Sequence, residues 1–131
     1  MDNKLDKILA EVSAGELIDK ITILEIKKEK INDNEKLKDV EKELSSLNNT
    51  LKKSISDSYK IQPLIDKLKA VNLKLWDIEN GKRLAEASNN FDDKFIELAR
   101  SVYKENDERS KIKLKINNTL GSSIKEVKSH Y

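Results

Sequence analysis

The chain has 131 residues, 38% charged and 37% hydrophobic, with three glycines, one proline and no cysteine. That mixture suits a single domain of long amphipathic helices, starves turns and strands, and excludes disulfides. A formal net charge of +2 is too small to argue for nucleic acid or an anionic membrane surface, and the asymmetry is mild: 11 lysines against 13 acids in residues 1–58, 15 basic residues against 11 acids in 59–131.

The first residues interleave charge with apolar side chains and lack the apolar run of a secretory signal, and no stretch approaches the length of a membrane span. Residues 3–11 are expected as a short amphipathic helix carrying Leu5, Ile8 and Leu9, with Val12 just beyond. Ser13-Ala14-Gly15-Glu16 reads as a capping box, in which the serine hydroxyl accepts from a free helical amide and the glutamate reaches back. It opens a helix over residues 14–31 on Leu17, Ile21, Leu24 and Ile31. Ile23 and Ile26 fall on its other side, so the helix is expected to meet neighbours on two faces. Asn32-Asp33-Asn34 makes a turn.

Residues 35–56 carry the cleanest seam, of the coiled-coil type, on Leu37, Val40, Leu44, Leu47 and Leu51. Pro63 suits a first helical position, and residues 63–87 repeat the seam with Leu64, Leu68, Val71, Leu75, Ile78 and Ala85. Ser88-Asn89-Asn90 interrupts, and Asn90 or Asp92 can cap a last helix ending near Leu120. Residues 111–116 alternate apolar and charged as a strand would, but Asn117 to Gly121 has the form of a helix C-terminus with Gly at C′, so the segment reads as helix.

The last helix also supplies the candidate site. Its apolar stripe of Phe95, Ala99 and Val102 continues as Asn106, Arg109, Lys113 and Asn117 before Ile116 and Leu120 close it. A helix that only fills a core has no use for polar groups there, since each needs a buried partner. Polar residues interrupt stripes elsewhere too: Glu25 on the helix at 14–31, and Asn72, Glu79 and Arg83 on the helix at 63–87, with Trp76 beside them. Glu25 and Glu79 are thus placed to meet Arg109 across the interior. Only Arg83, Arg100 and Arg109 interrupt an otherwise all-lysine set of 26 basic residues, which points to positions that need the planar guanidinium fork.

Other constellations fail. One histidine, His130, rules out a zinc site, a Glu-x-x-His di-iron bundle and a nucleophile triad, and Gly15, Gly81 and Gly121 form no phosphate loop. Glu16-x-x-Asp19 with Glu25 is the one acidic group to consider for Mg²⁺. It loosely resembles the Glu-rich motifs of all-α nucleotide pyrophosphohydrolases but lacks their repeated Glu-x-x-Glu, and a capped, solvated helix start is the simpler reading. Lys111, Lys113 and Lys115 read as a solvated face rather than an RNA contact, and no metal or cofactor is expected.

Two blocks are similar to a family of small bacterial proteins of unknown function: GELIDKITILEIKKEKI at 15–31, and LWDIENGKR through FIELARSVYKENDERSKIKLKINNTLG at 75–121. The matching polar positions are Glu16, Asp19, Lys20, Thr22 and Glu25, then Trp76 and Glu79, then Arg100, Asn106, Asp107 and Arg109, with Lys128-Ser129 at the end, while residues 33–63 match nothing specific. Members are often encoded near surface-polysaccharide and glycosyltransferase genes. The resemblance therefore implies a link to surface-glycan assembly, but no activity.

The predicted fold is an all-α antiparallel bundle of four long helices with a short N-terminal helix, occupying residues 1–122, and an irregular tail over 123–131. The leading expectation for function is a non-catalytic, cytoplasmic binding or adaptor protein, contacting a protein partner or a second copy through the Ile23 and Ile26 face. The alternative is an enzyme or small-molecule binder that uses Glu25, Glu79, Arg83, Asn106, Arg109 and Asn117 as an intra-bundle pocket for an anion such as a nucleotide or sugar phosphate. A connected cavity beside Arg109 favours the alternative. A filled interior of paired charges favours a scaffold.

Overall fold

Helix boundaries fall where a side chain or a turn satisfies the free backbone groups at each end. The computed structural model describes residues 4–125, 127 and 128. Among them the regular structure is helical: α1 (Ala14–Lys30), α2 (Asn34–Ser54), α3 (Gln62–Ala87) and α4 (Asp93–Leu120), with a 3₁₀ turn, Ser58–Ile61, leading into α3. Ser13 caps α1 by accepting from the Glu16 amide at 3.1 Å. Asp33 caps α2 through the amides of Glu35 and Lys36, and Asp92 caps α4 through those of Lys94 and Phe95. Pro63 sits in the first turn of α3, where its missing N–H costs nothing.

Two residues in the left-handed region close the long helices. Asn89 at φ 51 lets the Asn90 amide turn back onto the Ala85 carbonyl at 2.8 Å. Gly121 at φ 66 does the same for α4, with the Ser122 amide 2.8 Å from the Asn117 carbonyl. Residues 111–116 are helical throughout.

The short N-terminal helix does not form: residues 4–13 have no regular structure, and Leu5, Ile8 and Leu9 are 87%, 82% and 91% exposed. The helical period is there, but no element packs against it, and nine residues cannot hold a helix in water alone. Of the tail, Ser122 to Lys125, Val127 and Lys128 are irregular; Ser129 and His130 lie outside the described residues.

α1 is the hub, packing against each of the other long helices, and α3 packs along α4. Two apolar clusters flank it. Leu17, Ile21 and Leu24 meet Val40 and Leu44 of α2. Ile18 joins Ile61, Leu68, Val71, Ile112 and Ile116 of the 3₁₀ turn, α3 and α4. Ile61 is fully buried, so the short turn before α3 contributes to the core as well as reversing the chain.

Candidate functional site

The spacing of α1 places Gly15, Asp19, Thr22 and Ile26 on one stripe, at steps of four, three and four. All are buried. α4 passes this stripe with its own polar residues in descending order. The Gly15 amide donates to Asn117 Oδ1 at 2.6 Å, Lys113 Nζ donates to Glu16 Oε2 at 2.7 Å, and Arg109 reaches Asp19. Gly15 is required for this approach: a Cβ there would lie 2.6 Å from the Lys113 carbonyl oxygen.

Asp19 is the centre, with 0% of its surface exposed. Arg109 donates Nε to Oδ1 at 2.9 Å and Nη2 to Oδ2, a bidentate fork. Lys113 Nζ stands 3.8 Å from Oδ2. Asn72 of α3 spends one Nδ2 amide on both neighbours, 2.9 Å to Asp19 Oδ1 and 2.9 Å to Thr22 Oγ1, while the Thr22 hydroxyl donates to the Asp19 carbonyl at 2.8 Å. A buried carboxylate is tolerable only with such a set of donors, and this one ties α1, α3 and α4 together.

Arg109 stands at the edge of this layer and also lines a cavity of about 430 Å³. Ile23 and Ile26 of α1 form one wall. Leu75 and Trp76 of α3 form the other, and Asn72, Glu79, Asn80 and Arg83 add polar groups along it. The charges there are already partly spent. Arg109 is neutralised by Asp19 and donates Nη1 to Asn106 at 3.4 Å, and Glu79 lies 3.4 Å from Lys82. Arg83 makes no ion pair among the described residues, so the cavity has an apolar lining and one uncommitted positive charge at its rim.

The structure brings Arg109 together with Asn106 and places Arg109, Glu79 and Arg83 around one cavity. Glu25 is elsewhere: it is half-buried and pairs with Lys69 at 3.6 Å, beside the Glu29–Lys69 pair at 3.0 Å. Glu29, then burial in the opposite sense, then Glu25 act on Lys69, and the net result holds its ammonium pKa above the ordinary 10.5. Neither Glu25 nor Glu79 is the carboxylate that meets Arg109; that carboxylate is Asp19. Asn117 lies at the far end of the polar stripe, on the Gly15 amide, away from this cavity. Ile26 is 1% exposed and Ile23 half-buried, and both face the cavity rather than forming an open surface.

Asp19 is the residue that sequence reasoning left out of the cluster, and Asn72, read as an inward polar group, was not joined to it. The signal for Asp19 was its place on the Gly15, Thr22, Ile26 stripe, which a search for apolar periodicity skips because only one of the four is a large hydrophobe. Glu16, Asp19 and Glu25 form no acidic cluster: Glu16 pairs with Lys113, Asp19 with Arg109 and more distantly Lys113, and Glu25 with Lys69. Among the described residues no group of three or more His, Cys, Asp or Glu side chains is arranged to hold a metal ion. No helix among them is long and apolar enough to cross a membrane.

Fold and site together define a small all-helical domain with a buried salt-bridged layer that opens on a largely apolar cavity. The chain belongs to a family of unknown function, DUF6165, whose model matches residues 8–131. Neither a curated protein nor a solved structure matches it.

Proposed function

We propose that this protein is a small-molecule-binding domain, built on an antiparallel bundle, whose cavity between α1 and α3 takes an amphipathic anion. The observation that supports this reading is the cavity beside Arg109, of about 430 Å³, within the range of ligand pockets and lined by apolar walls with a few convergent polar groups. A flat or apolar portion of the ligand lies between Ile23, Ile26 and Trp76. Its anionic group, a phosphate or carboxylate, meets Arg83, with the Asn80 side chain and the outer edge of the Arg109 guanidinium beside it.

Asp19 acts here through Arg109. It fixes the guanidinium plane before any ligand arrives, which lowers the ordering cost of binding. We read the role as binding rather than turnover, because Glu79, the carboxylate on the cavity wall, is already paired with the Lys82 ammonium at 3.4 Å. An adaptor role through Ile23 and Ile26 is the weaker reading, since a partner helix needs an open face and Ile26 is buried.

Trp76 is the sole tryptophan and lines the cavity, so its emission reports on occupancy without a label. Titration with adenosine monophosphate and, separately, with an aromatic sulfonate is expected to give a saturable change in Trp76 emission for at least one of them. An Ile26→Trp variant would be spectrally confusing, so Ile23→Glu serves as the block, placing a like charge in the cavity. A linear, non-saturating response to both probes, or the same saturation in Ile23→Glu, overturns the proposal.

A further inference from the structure

The last turns of α4 line a second cavity, of about 200 Å³, separate from the one beside Trp76. Ser110, Lys111, Lys113 and Asn117 form its α4 side, and Val127 and Lys128 approach from the following chain. Lys128 is held there by Asp107, 3.0 Å away.

Asn117 is the unusual group. It is 1% exposed, and its Oδ1 accepts the Gly15 amide at 2.6 Å, which fixes the orientation of the side-chain amide because Nδ2 cannot accept a hydrogen bond. That leaves Nδ2 buried with no hydrogen-bond partner. A buried donor without an acceptor bears its full desolvation penalty, so such a group is retained where something else supplies the acceptor. Among the described residues the lining of the cavity carries three lysines and one carboxylate, that of Asp107, which is spent on Lys128. Lys113 is itself buried and committed to Glu16, with Asp19 also near, whereas Lys111 makes no ion pair among the described residues.

From this arrangement we infer that the cavity is a second binding site, for a small oxyanion: a phosphate or carboxylate group whose oxygen accepts from Asn117 Nδ2 while Lys111 meets its charge. The volume holds several waters' worth of ligand, enough for such a group and too little for a nucleotide. This site does not depend on the first. It stands on Asn117 and its orphan donor, whereas the first stands on Arg83, Arg109 and Trp76.

The test is a ¹⁵N-resolved NMR titration of the side-chain amide of Asn117 with sodium phosphate, and in parallel with sodium acetate, at constant ionic strength and pH 7. A saturable shift with a Kd on the order of 1 mM is expected with at least one of them. Phosphate alone, acetate alone or both each support an oxyanion site and identify its source. Asn117→Asp, followed at the Gly15 backbone amide because it has no side-chain amide of its own, keeps the acceptor for that amide but sets a negative oxygen where the donor stood, and should raise the Kd at least tenfold. Lys111→Gln disturbs no described contact and should raise it about threefold through lost charge alone. Absence of a saturable shift with either anion up to about 50 mM would mean that water fills the cavity, and would overturn the inference. Unchanged affinity in Lys111→Gln overturns it too, even if Asn117→Asp fails to fold.

Discussion

Replacing Arg109 by alanine should destabilise the fold by about 3 kcal/mol, through the carboxylate it leaves behind rather than the contacts it takes away. Asp19 is fully buried and receives two of its donors from Arg109, at Nε and Nη2, and a third from Asn72. Without the guanidinium, the charge keeps Asn72 at 2.9 Å and Lys113 at 3.8 Å, but Lys113 is already committed to Glu16 at 2.7 Å. Breaking a buried pair from one side costs about 3–5 kcal/mol, and the remaining lysine places this case at the lower end. Equilibrium urea denaturation at pH 7, followed by far-UV circular dichroism, measures it. The double variant Asp19→Asn with Arg109→Gln should recover at least half of the loss, since it removes the orphaned charge. A loss below about 1 kcal/mol for Arg109→Ala would show that the pair behaves as a solvent-screened surface bridge, and would refute the reasoning.

Other variants test the packing around this layer. Gly15→Ala should cost about 1–3 kcal/mol despite the better helix propensity of alanine, because its Cβ would stand 2.6 Å from the Lys113 carbonyl; a stabilised variant by thermal denaturation would contradict the close approach of α1 and α4. Ile61→Ala should cost about 2–4 kcal/mol, as expected of a fully buried aliphatic chain, and a loss under about 1 kcal/mol would show that the 3₁₀ turn stands outside the core. For Lys69, the folded pKa lies above 10.5, so its contribution is complete below that pH and is lost as pH rises through the folded value. Lys69 is a third exposed, so Lys69→Met should cost under about 1 kcal/mol at pH 7, with the difference from wild type fading as pH rises through the raised folded pKa. A constant difference across that range would exclude the ionic origin.

The helices were legible because their signals are local. The Val40 and Leu44 seam, the Ser13 cap and the left-handed Gly121 each depend on residues within a turn or two. The segment at 4–13 shows the limit of that reading: Leu5, Ile8 and Leu9 have helical spacing, but spacing specifies a helix only when a neighbour covers the stripe. Ile61 was missed because a one-turn 3₁₀ segment is too short to show a period.

The site was legible in part, and for the same reason. Arg109, Lys113 and Asn117 announced themselves by replacing apolar residues on an apolar face of α4. Their partners were harder. Glu25 sits on the Ile18 and Ile21 side of α1, where its angular position resembles a core residue, yet it pairs at the groove edge with Lys69. Asp19 reads as an acid near a helix start, which is ordinarily solvated, and only the crossing of α4 over Gly15 buries it. That crossing is a tertiary fact with no local signature.

The binding role of the cavity is tested most directly at Arg83, which lines it and makes no ion pair with the described residues. Arg83→Gln should leave the urea-derived stability within about 0.5 kcal/mol of wild type while weakening the aromatic anion that Trp76 reports by about tenfold. Equal affinity in the two proteins would contradict the assignment of Arg83 as the anion contact. So would a stability loss above about 2 kcal/mol, which would make Arg83 part of the fold rather than of the site.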